Sequence, residues 1–358
     1  MLYKLEVKLP QKIYPILIKK DIIKDICYEI NKIYNSKRIT IITDQNVGKL
    51  YVKALVDNLK SYGFDVYTIF IEPGENSKSI KVLTDVYNQL LDIGITRKAL
   101  ILAFGGGVVG DLAGFAAATF LRGIRYIQIP TSLLAQIDSS IGGKVAVNLP
   151  RGKNLIGNFY HPEAVFIDPS LLKTLPRRFL YDGMAEVIKY ACIKDIDLFN
   201  KLMEVDIETD FDFIIHEIIY RCCNIKKEIV EYDEKESGER MLLNFGHTIG
   251  HAIERAFNYE RFTHGEAVAI GMYCITKKSE DMGITKKGTA DSIKELLVKF
   301  KLPYKLYQID SDILIEAINL DKKSEDDYIN LVLLREIGNS FMKKVKKEDI
   351  HLFLQNEM

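Results

Sequence analysis

Hydrophobic and polar positions follow two alternating periods in the first half of the chain. Short apolar runs typical of buried strands occur at four places: 38–43, 65–71, 99–104 and 123–130. Apolar residues at helical spacing predict helices at 47–62, at 78–93 and after the glycines that follow residue 104. Strands that alternate with helices predict a mainly parallel, doubly wound, Rossmann-like α/β sheet.

The pattern becomes almost entirely helical near residue 180. Helical periodicity covers 183–194, 211–230, 243–257, 264–282, 286–300 and 311–319, with a short extended pair near 328–341. We therefore expect two domains, an α/β domain over residues 1–178 and a mostly α-helical domain over residues 179–358.

One apolar stretch, residues 99–121, is long enough to suggest a membrane span. It contains three consecutive glycines and Asp111, which would be costly in lipid. We interpret it as a buried strand, a glycine turn and a buried helix. The N-terminal residues show no secretory signal.

The composition is that of an ordinary globular enzyme, and its charge balance argues against partners that bind through a strongly charged surface. Lys plus Arg equals Asp plus Glu, 49 each, so the chain has no charge footprint for nucleic acid or an anionic membrane. Five cysteines without CxxC spacing are typical of a reducing compartment. We expect a cytoplasmic protein that binds neither nucleic acid nor membrane, and whose anionic ligands are held by local clusters.

A glycine-rich turn, Gly105-Gly106-Gly107, lies between a predicted strand and a predicted helix. Such a turn lets backbone N–H groups approach a pyrophosphate, but it serves equally well as a tight turn that packs helix on sheet. Asp44 and Glu75 follow two other predicted strands, where ligands of open α/β sheets bind. Acidic groups there bond ribose hydroxyls and repel a 2′-phosphate, which favours NAD over NADP.

Three of the six histidines, His247, His251 and His264, fall close together. His247 and His251 share one helix face at i, i+4, and Glu186 lies three residues before Lys189 on another predicted helix. One carboxylate with two imidazoles is a common catalytic zinc set. The spacing predicts a metal site but leaves open which two histidines bind.

The segment 130–159 is long and polar for a connector, which is typical of a functional loop. An alternative is a β-hairpin with 137–140 and 145–148 as strands and Gly142-Gly143 as the turn; such a hairpin could also project Lys144 into a cleft. The remaining histidines are interpreted as structural, His216 and His351 on helix surfaces and His161 in a loop before Pro162.

Over nearly its whole length the chain resembles 3-dehydroquinate synthases, a family of sugar phosphate cyclases. The motifs that carry the resemblance are TDQNV, PGENSK, GGGVVGD, IPTSLLAQIDSSIGGKVAVN, GKNLIG, TLP, GMAEVIKY, LLNFGHTIGHAIE, HGEAV and DKK, in this order. Single pieces, such as the glycine triplet, also fit glycerol and iron-type alcohol dehydrogenases.

The resemblance implies a lyase that uses NAD and one divalent metal, zinc or cobalt. Its substrate would be 3-deoxy-D-arabino-heptulosonate 7-phosphate, converted to 3-dehydroquinate and phosphate by transient oxidation, phosphate elimination, reduction and intramolecular aldol closure. The first domain would bind NAD, the second would hold the metal and substrate, and the chain could form a homodimer. The alternatives are an inosose- or valiolone-type cyclase and a metal-dependent polyol dehydrogenase.

The resemblance also assigns residues. The metal ligands would be Glu186, His247 and His264, with His251 left for the substrate. NAD would be contacted by Asp44, Asn46, Pro73, Gly74, Glu75, Lys78, Gly106, Gly107, Val108, Val109, Gly110, Asp111, Thr131, Ser132, Lys144, Lys153, Leu171 and Thr174. The substrate and its chemistry would be served by Arg122, Asp138, Lys144, Asn154, Lys189, Lys226, Arg240, Asn244, His251, Lys322 and Lys323.

Four positions depart from the family pattern: Phe179, Ala191, Glu239 and Asp327. None of them is an implied metal ligand or pocket lysine. They are expected to affect local turn geometry more than chemistry.

Overall fold

A computed structural model describes residues 2–35, 37–206, 209–236, 238–306, 311–321 and 327–354. The described chain divides into two compact units. The first comprises Met1–Leu175 and Ile215–Lys235, and the second comprises Pro176–Ile214 and Glu236–Met358.

The first unit is built on a seven-stranded sheet. Its strands are β1 (Leu2–Leu9), β2 (Lys12–Lys19), β3 (Arg38–Asp44), β4 (Asp65–Ile71), β5 (Leu100–Gly105), β6 (Arg125–Pro130) and β9 (Val165–Ile167). They lie in the order β1-β2-β9-β6-β5-β3-β4. All neighbouring pairs are parallel except the hairpin β1-β2. A separate hairpin pairs β7 (Lys144–Leu149) with β8 (Gly152–Phe159).

Helices connect these parallel strands, as the alternating pattern predicts. They are α1 (Ile26–Ile33), α2 (Gln45–Val47), α3 (Lys53–Ser61), α4 (Ile80–Asp92) and α5 (Gly107–Thr119). A π-helical turn, Gly48–Val52, joins α2 to α3. Apolar side chains pack on both faces of the sheet, and β5 is buried along its whole length. The predicted fold class, a mainly parallel doubly wound sheet, is confirmed.

The second unit is mainly helical, as predicted. Its helices are α6 (Arg177–Lys194), α7 (Ile196–Glu204), α9 (His247–Ala256), α10 (His264–Asp281), α11 (Thr289–Lys299) and α12 (Ser311–Asp321). The predicted extended pair is the antiparallel hairpin of β10 (Tyr328–Glu336) and β11 (Asn339–Lys346).

Helix α8 (Phe211–Tyr232) is divided between the units, because residues 215–235 lie with the first. Lys226 donates to the carbonyl and carboxylate oxygens of Asp138, at 2.7 and 2.8 Å, and Tyr220 stacks on Tyr3 with ring centroids 4.7 Å apart. The prediction from the sequence had instead placed all of residues 179–358 in the second domain. Hydrophobic periodicity does not reveal contacts between residues that lie so far apart in the sequence.

The hairpin predicted within 130–159 exists but uses different strands. Residues 145–148 lie in β7, as expected, but the other strand is β8. The residues expected as the first strand, 137–140, lie in and beside a π-helical turn, Ala135–Ser139. The expectation was therefore wrong for that half and for the turn. Gly142 and Gly143 precede the hairpin, with φ values of +94° and +68° that favour glycine.

The apolar run 99–121 divides into β5, the glycine turn and α5. Among the residues described above, no helix is both long and apolar enough to cross a membrane. All five cysteines are buried and reduced, consistent with their interpretation as small core residues.

Candidate metal and nucleotide sites

In the first unit, polar groups follow the carboxyl ends of adjacent parallel strands. Asp44 ends β3, the turn 73–78 follows β4, the glycines follow β5, and Thr131 follows β6. Most of the predicted NAD residues lie at this edge: Asp44, Asn46, Pro73, Gly74, Glu75, Lys78, Gly106, Gly107, Val108, Val109, Gly110, Asp111, Thr131 and Ser132. Such an edge is where ligands of open α/β sheets bind.

Helix α5 begins at the glycine turn without a capping side chain, because Gly106 occupies the cap position. The N–H groups of the first turn of a helix have no intrahelical acceptor and favour an anion. The turn is therefore suited to a close approach by a phosphate.

Asp44 has a structural role at this edge. Its Oδ1 accepts from the backbone N–H groups of Asn46 at 2.8 Å and Val47 at 3.0 Å, so it caps the helix that follows β3. Both bonds engage the same carboxylate oxygen. The residue thus combines a capping function with a negative charge at the strand edge.

Lys78 is the centre of a polar network in the first unit. Its buried ammonium pairs with Asp111 and donates to Asn154. The backbone N–H of Asn154 donates to Asn148 at 2.8 Å, and Asn148 donates to Glu75 at 2.7 Å. Burial raises the pKa of Asp111, against the opposing effect of Lys78. The network joins the β7-β8 hairpin to the turn after β4.

The other implied first-unit residues lie on other elements of the unit. Arg122 follows the far end of α5, about 20 Å along the axis from the glycine turn. Leu171 is buried in the apolar core, and the hydroxyl of Thr174 lies 2.5 Å from that of Tyr51. At the hairpin, the side chain of Lys144 is exposed and that of Lys153 is partly buried.

His161 makes contacts that the sequence does not predict. Its ring is buried, stacks on Tyr14 with centroids 5.8 Å apart, and places Nε2 2.9 Å from Oε1 of Glu234. A Cβ on Gly143 would meet this ring at 2.6 Å. His161 lies in a loop before Pro162, as expected, but its partner Glu234 is 73 positions away and no local pattern reveals that contact.

In the second unit, three predicted ligands converge. Oε1 of Glu186 lies 3.4 Å from Nε2 of His247 and 3.6 Å from Nε2 of His264. All three donor atoms lie within 4.8 Å of one another, and Glu186 is wholly buried. One carboxylate and two imidazoles form a donor set that zinc and similar divalent cations take. The residues therefore fit a divalent metal.

A second group among the described residues, His251, Glu254 and His264, also meets this distance limit. The hydrogen bonds favour the first group. Nδ1 of His247 lies 3.1 Å from the carbonyl oxygen of Phe245, and Nδ1 of His264 lies 3.3 Å from Glu254. Such contacts at Nδ1 orient imidazoles that bind metal through Nε2.

The electrostatics of the two rings differ. Burial lowers the pKa of His247 to about 3, which keeps its ring neutral. Burial also acts to lower the pKa of His264, but the nearby carboxylates of Glu186 and Glu254 raise that pKa to about 10. Without a metal, His264 thus carries a proton between two carboxylates. A cation bound at Nε2 would replace that proton.

Two implied substrate residues, Lys189 and His251, lie beside this group, and the positions of the others are separate. Lys189 is buried, pairs with Glu186 and lies over the ring of Tyr190 at 4.6 Å. Arg240 is almost fully buried, and Asn244 donates to Glu236 at 3.1 Å. The ring of His251 is 5.4 Å from that of His247 and 6.0 Å from that of His264. Lys322 and Lys323 lie outside the described residues.

Two of the four departures from the family pattern make local contacts. Glu239 pairs with Lys194 at 2.5 Å, and the carbonyl oxygen of Asp327 accepts from the N–H of Lys347 at 2.8 Å. Phe179 is half exposed and Ala191 is buried, both on α6. None of the four belongs to the ligand group.

Comparison with known proteins agrees with these observations. Residues 68–182 match the family model of the 3-dehydroquinate synthase N-terminal region, and residues 183–324 match that of its C-terminal region. The 3-dehydroquinate synthase of Clostridium acetobutylicum is 56% identical over 98% of this chain and 99% of its own.

Two solved structures share the whole fold. A 2-deoxy-scyllo-inosose synthase in complex with carbaglucose-6-phosphate, NAD+ and Co2+ is 27% identical, with a TM-score of 0.86 over 99% of this chain and 100% of its own. A 2-epi-5-epi-valiolone synthase from Streptomyces hygroscopicus subsp. jinggangensis, with NAD+ and Zn2+, is 26% identical, with a TM-score of 0.86 over 97% of both chains. The full-length match at high identity, together with both family models, shows that this chain belongs to the 3-dehydroquinate synthase family.

Proposed function

We propose that this chain is a 3-dehydroquinate synthase that converts 3-deoxy-D-arabino-heptulosonate 7-phosphate to 3-dehydroquinate and phosphate, with NAD and one divalent metal. The observation that carries the proposal is the convergence of Glu186, His247 and His264 in a chain that matches the family over its whole length. A non-catalytic nucleotide-binding module would gain nothing from this donor set.

Glu186, His247 and His264 would hold the metal, zinc or cobalt. A divalent metal supplies Lewis-acid chemistry to a substrate oxygen, and NAD supplies reversible acceptance of hydride. Phe245 and Glu254 hold Nδ1 of the two rings, so that each Nε2 is directed at the site. Lys189, paired with Glu186, offsets part of the buried negative charge.

At the strand edge, the first turn of α5 would receive the pyrophosphate of NAD, and Lys78 would order the turn after β4 through Asp111 and Asn154. The carboxylate of Asp44 lies where a ribose is expected and disfavours a 2′-phosphate. These roles rest on the position of the residues at the carboxyl ends of the parallel strands.

The substrate carries a phosphate and a carboxylate, which require cationic partners when they are desolvated. The residues proposed to bind them are Arg122, Lys144, Lys153, Lys189, Lys226, Arg240, Lys322 and Lys323. The polar partners proposed beside them are Asp138, Asn154, Asn244 and His251. His251 is the proposed proton relay, because its ring lies next to those of His247 and His264.

The experiment that separates this function from a related cyclase is a substrate panel. Purified protein with NAD and cobalt is given the heptulosonate phosphate or glucose 6-phosphate, and inorganic phosphate is measured. We expect release from the heptulosonate phosphate alone. Release from glucose 6-phosphate alone would indicate an inosose-type cyclase, which the similarity to 2-deoxy-scyllo-inosose synthase makes the second candidate.

We also propose that the chain forms a homodimer and is cytoplasmic. Sedimentation of the purified chain tests the first, and fractionation of cells that express it tests the second.

A further inference from the structure

One face of helix α6 contacts the start of helix α10 at three successive levels. Arg178, Asp182 and Glu186 are spaced four residues apart, so they lie on one side of α6. Their counterparts on α10 are Glu266, Gly265 and His264 in turn, the first residues of that helix. The metal ligand of α6 is thus the last of three contacts with the helix that begins with another metal ligand.

The middle contact is the closest. The backbone N–H of Gly265 donates to Oδ1 of Asp182 at 2.6 Å, and both groups are buried. A Cβ on Gly265 would lie 2.1 Å from the carbonyl oxygen of Asp182, so only glycine permits this approach. Asp182 therefore fixes the backbone of the residue next to His264 against α6.

The outer contact is a two-pronged ion pair. Arg178 donates from Nε to Oε1 of Glu266 at 2.9 Å and from a terminal nitrogen to Oε2 at 2.8 Å. Oε2 of Glu266 also accepts from the backbone N–H of Thr263 at 3.0 Å, on the other side of His264. A bidentate pair sets direction as well as distance. Thr263 and Gly265, the residues on either side of His264, are therefore both held by hydrogen bonds of their backbone N–H groups.

We propose that Asp182, supported by the Arg178–Glu266 pair, is a positioning residue for the metal site: it holds the first turn of α10 so that Nε2 of His264 faces Glu186. This inference rests on the proposed function, because it takes Glu186, His247 and His264 as the metal ligands. Asp182 does not itself contact the donor atoms of His247 or His264 in the described hydrogen bonds.

The test measures metal affinity rather than turnover. Wild type, Asp182→Ala and Asp182→Asn are stripped of metal, and zinc binding is measured by competition with a chromophoric chelator. The visible spectrum of each cobalt-loaded protein reports the ligand geometry. Because groups that orient metal ligands contribute to affinity, Asp182→Ala should bind zinc about 10–100-fold more weakly, with an altered cobalt spectrum. Asp182→Asn keeps an oxygen acceptor and should recover most of the affinity.

Asp195→Ala is the matched control. Asp195 caps α7 in the same unit, with its Oδ1 accepting from the N–H of Leu198 at 2.9 Å, and lies on no ligand-bearing turn. Removing it should lower the Tm of the metal-free protein by about 2–4 °C, as loss of a helix cap does. Its zinc affinity should stay that of the wild type, which separates positioning from general stability.

Arg178→Gln is the second variant. The side chain of Arg178 is largely exposed, so this protein should fold even where Asp182→Ala does not. We expect a several-fold loss of zinc affinity, because one of the two restraints around His264 is removed. Wild-type zinc affinity in both Asp182→Ala and Arg178→Gln would overturn the inference but leave the metal site standing. If Asp182→Ala does not fold, wild-type zinc affinity in Arg178→Gln would have the same consequence. A wild type that binds no zinc would overturn the metal site and the inference together.

Discussion

Glu186 is a buried side chain that lies close to one lysine and two histidines. It lies on α6 with no exposed surface, pairs with Lys189 one turn further along, and faces the Nε2 atoms of His247 and His264. Burying a carboxylate is costly unless cations surround it. Lys189, together with either the protonated His264 or a bound metal, supplies the cations that this position can use.

Glu186→Gln should therefore remove tightly bound metal and reduce turnover by more than about 100-fold, because it removes a ligand charge without changing the shape of the side chain. Metal content after chelator treatment and phosphate release measure the two effects. Glu239→Gln changes a carboxylate of a surface pair in the same unit and should leave both unchanged. Full activity of metal-free Glu186→Gln would contradict the proposed centre.

His161 provides a second prediction at this scale. Its bond to Glu234 joins the segment before Pro162 to the residues just after α8 within the first unit, and its ring supports Gly143. His161→Leu leaves a partly buried carboxylate without this donor, so Tm should fall by about 2–4 °C. His161→Gln retains a donor and should lose less. Equal Tm values for the wild type and the leucine variant would show that the bond contributes no stability.

At the residue scale, the sequence predicts which side chains meet when they share a helix or a motif. Glu186, His247 and His264 were implied by resemblance, and their spacing alone left the choice of histidines open. The choice depends on Phe245 and Glu254, which bond the Nδ1 atoms. Hydrogen-bond partners of this kind come from the fold, not from a periodic pattern.

At the scale of elements, periodicity predicts well where helices are long or strands are wholly apolar, as in α6 and β5. It assigned nothing to β1, although Leu5, Val7 and Leu9 alternate with exposed positions, and nothing to the three-residue strand β9. The first hairpin strand expected at 137–140 was wrong because residues 135–139 form a π-helical turn. Four residues are too few for periodicity to distinguish a strand from a helical turn.

The cap at the start of α2 allows a prediction about nucleotide choice. Asp44→Asn keeps a side chain that caps helices well but removes its charge. We expect the wild type to bind NAD more tightly than NADP, the variant to narrow this difference, and the Tm to change little. Asp44→Ala, which also loses the cap, should lower the Tm by about 2–4 °C. Calorimetry with both nucleotides measures the preference, and equal binding by the wild type would contradict the NAD assignment.

At the scale of the whole molecule, fold class and family follow from the sequence. Alternating strands and helices indicate the fold class, and ten motifs in a fixed order leave few alternatives for the family. Which residues belong to each unit does not follow from the sequence. Residues 215–235 join the first unit through long-range contacts, such as that of Lys226 with Asp138. Arg122 illustrates the same limit for the site. A motif places it with the substrate residues, but α5 separates it from the strand edge within the chain.

The central claim is that this chain eliminates phosphate from a carboxylated sugar phosphate without net oxidation. The most direct measurement incubates the cobalt-loaded enzyme with the heptulosonate phosphate and a small, known amount of NAD, and follows phosphate and the absorbance of NADH together. The account predicts many equivalents of phosphate for each NAD, while the NADH absorbance stays near its starting value. NADH formed in proportion to consumed substrate, without phosphate, would contradict the account and indicate a dehydrogenase.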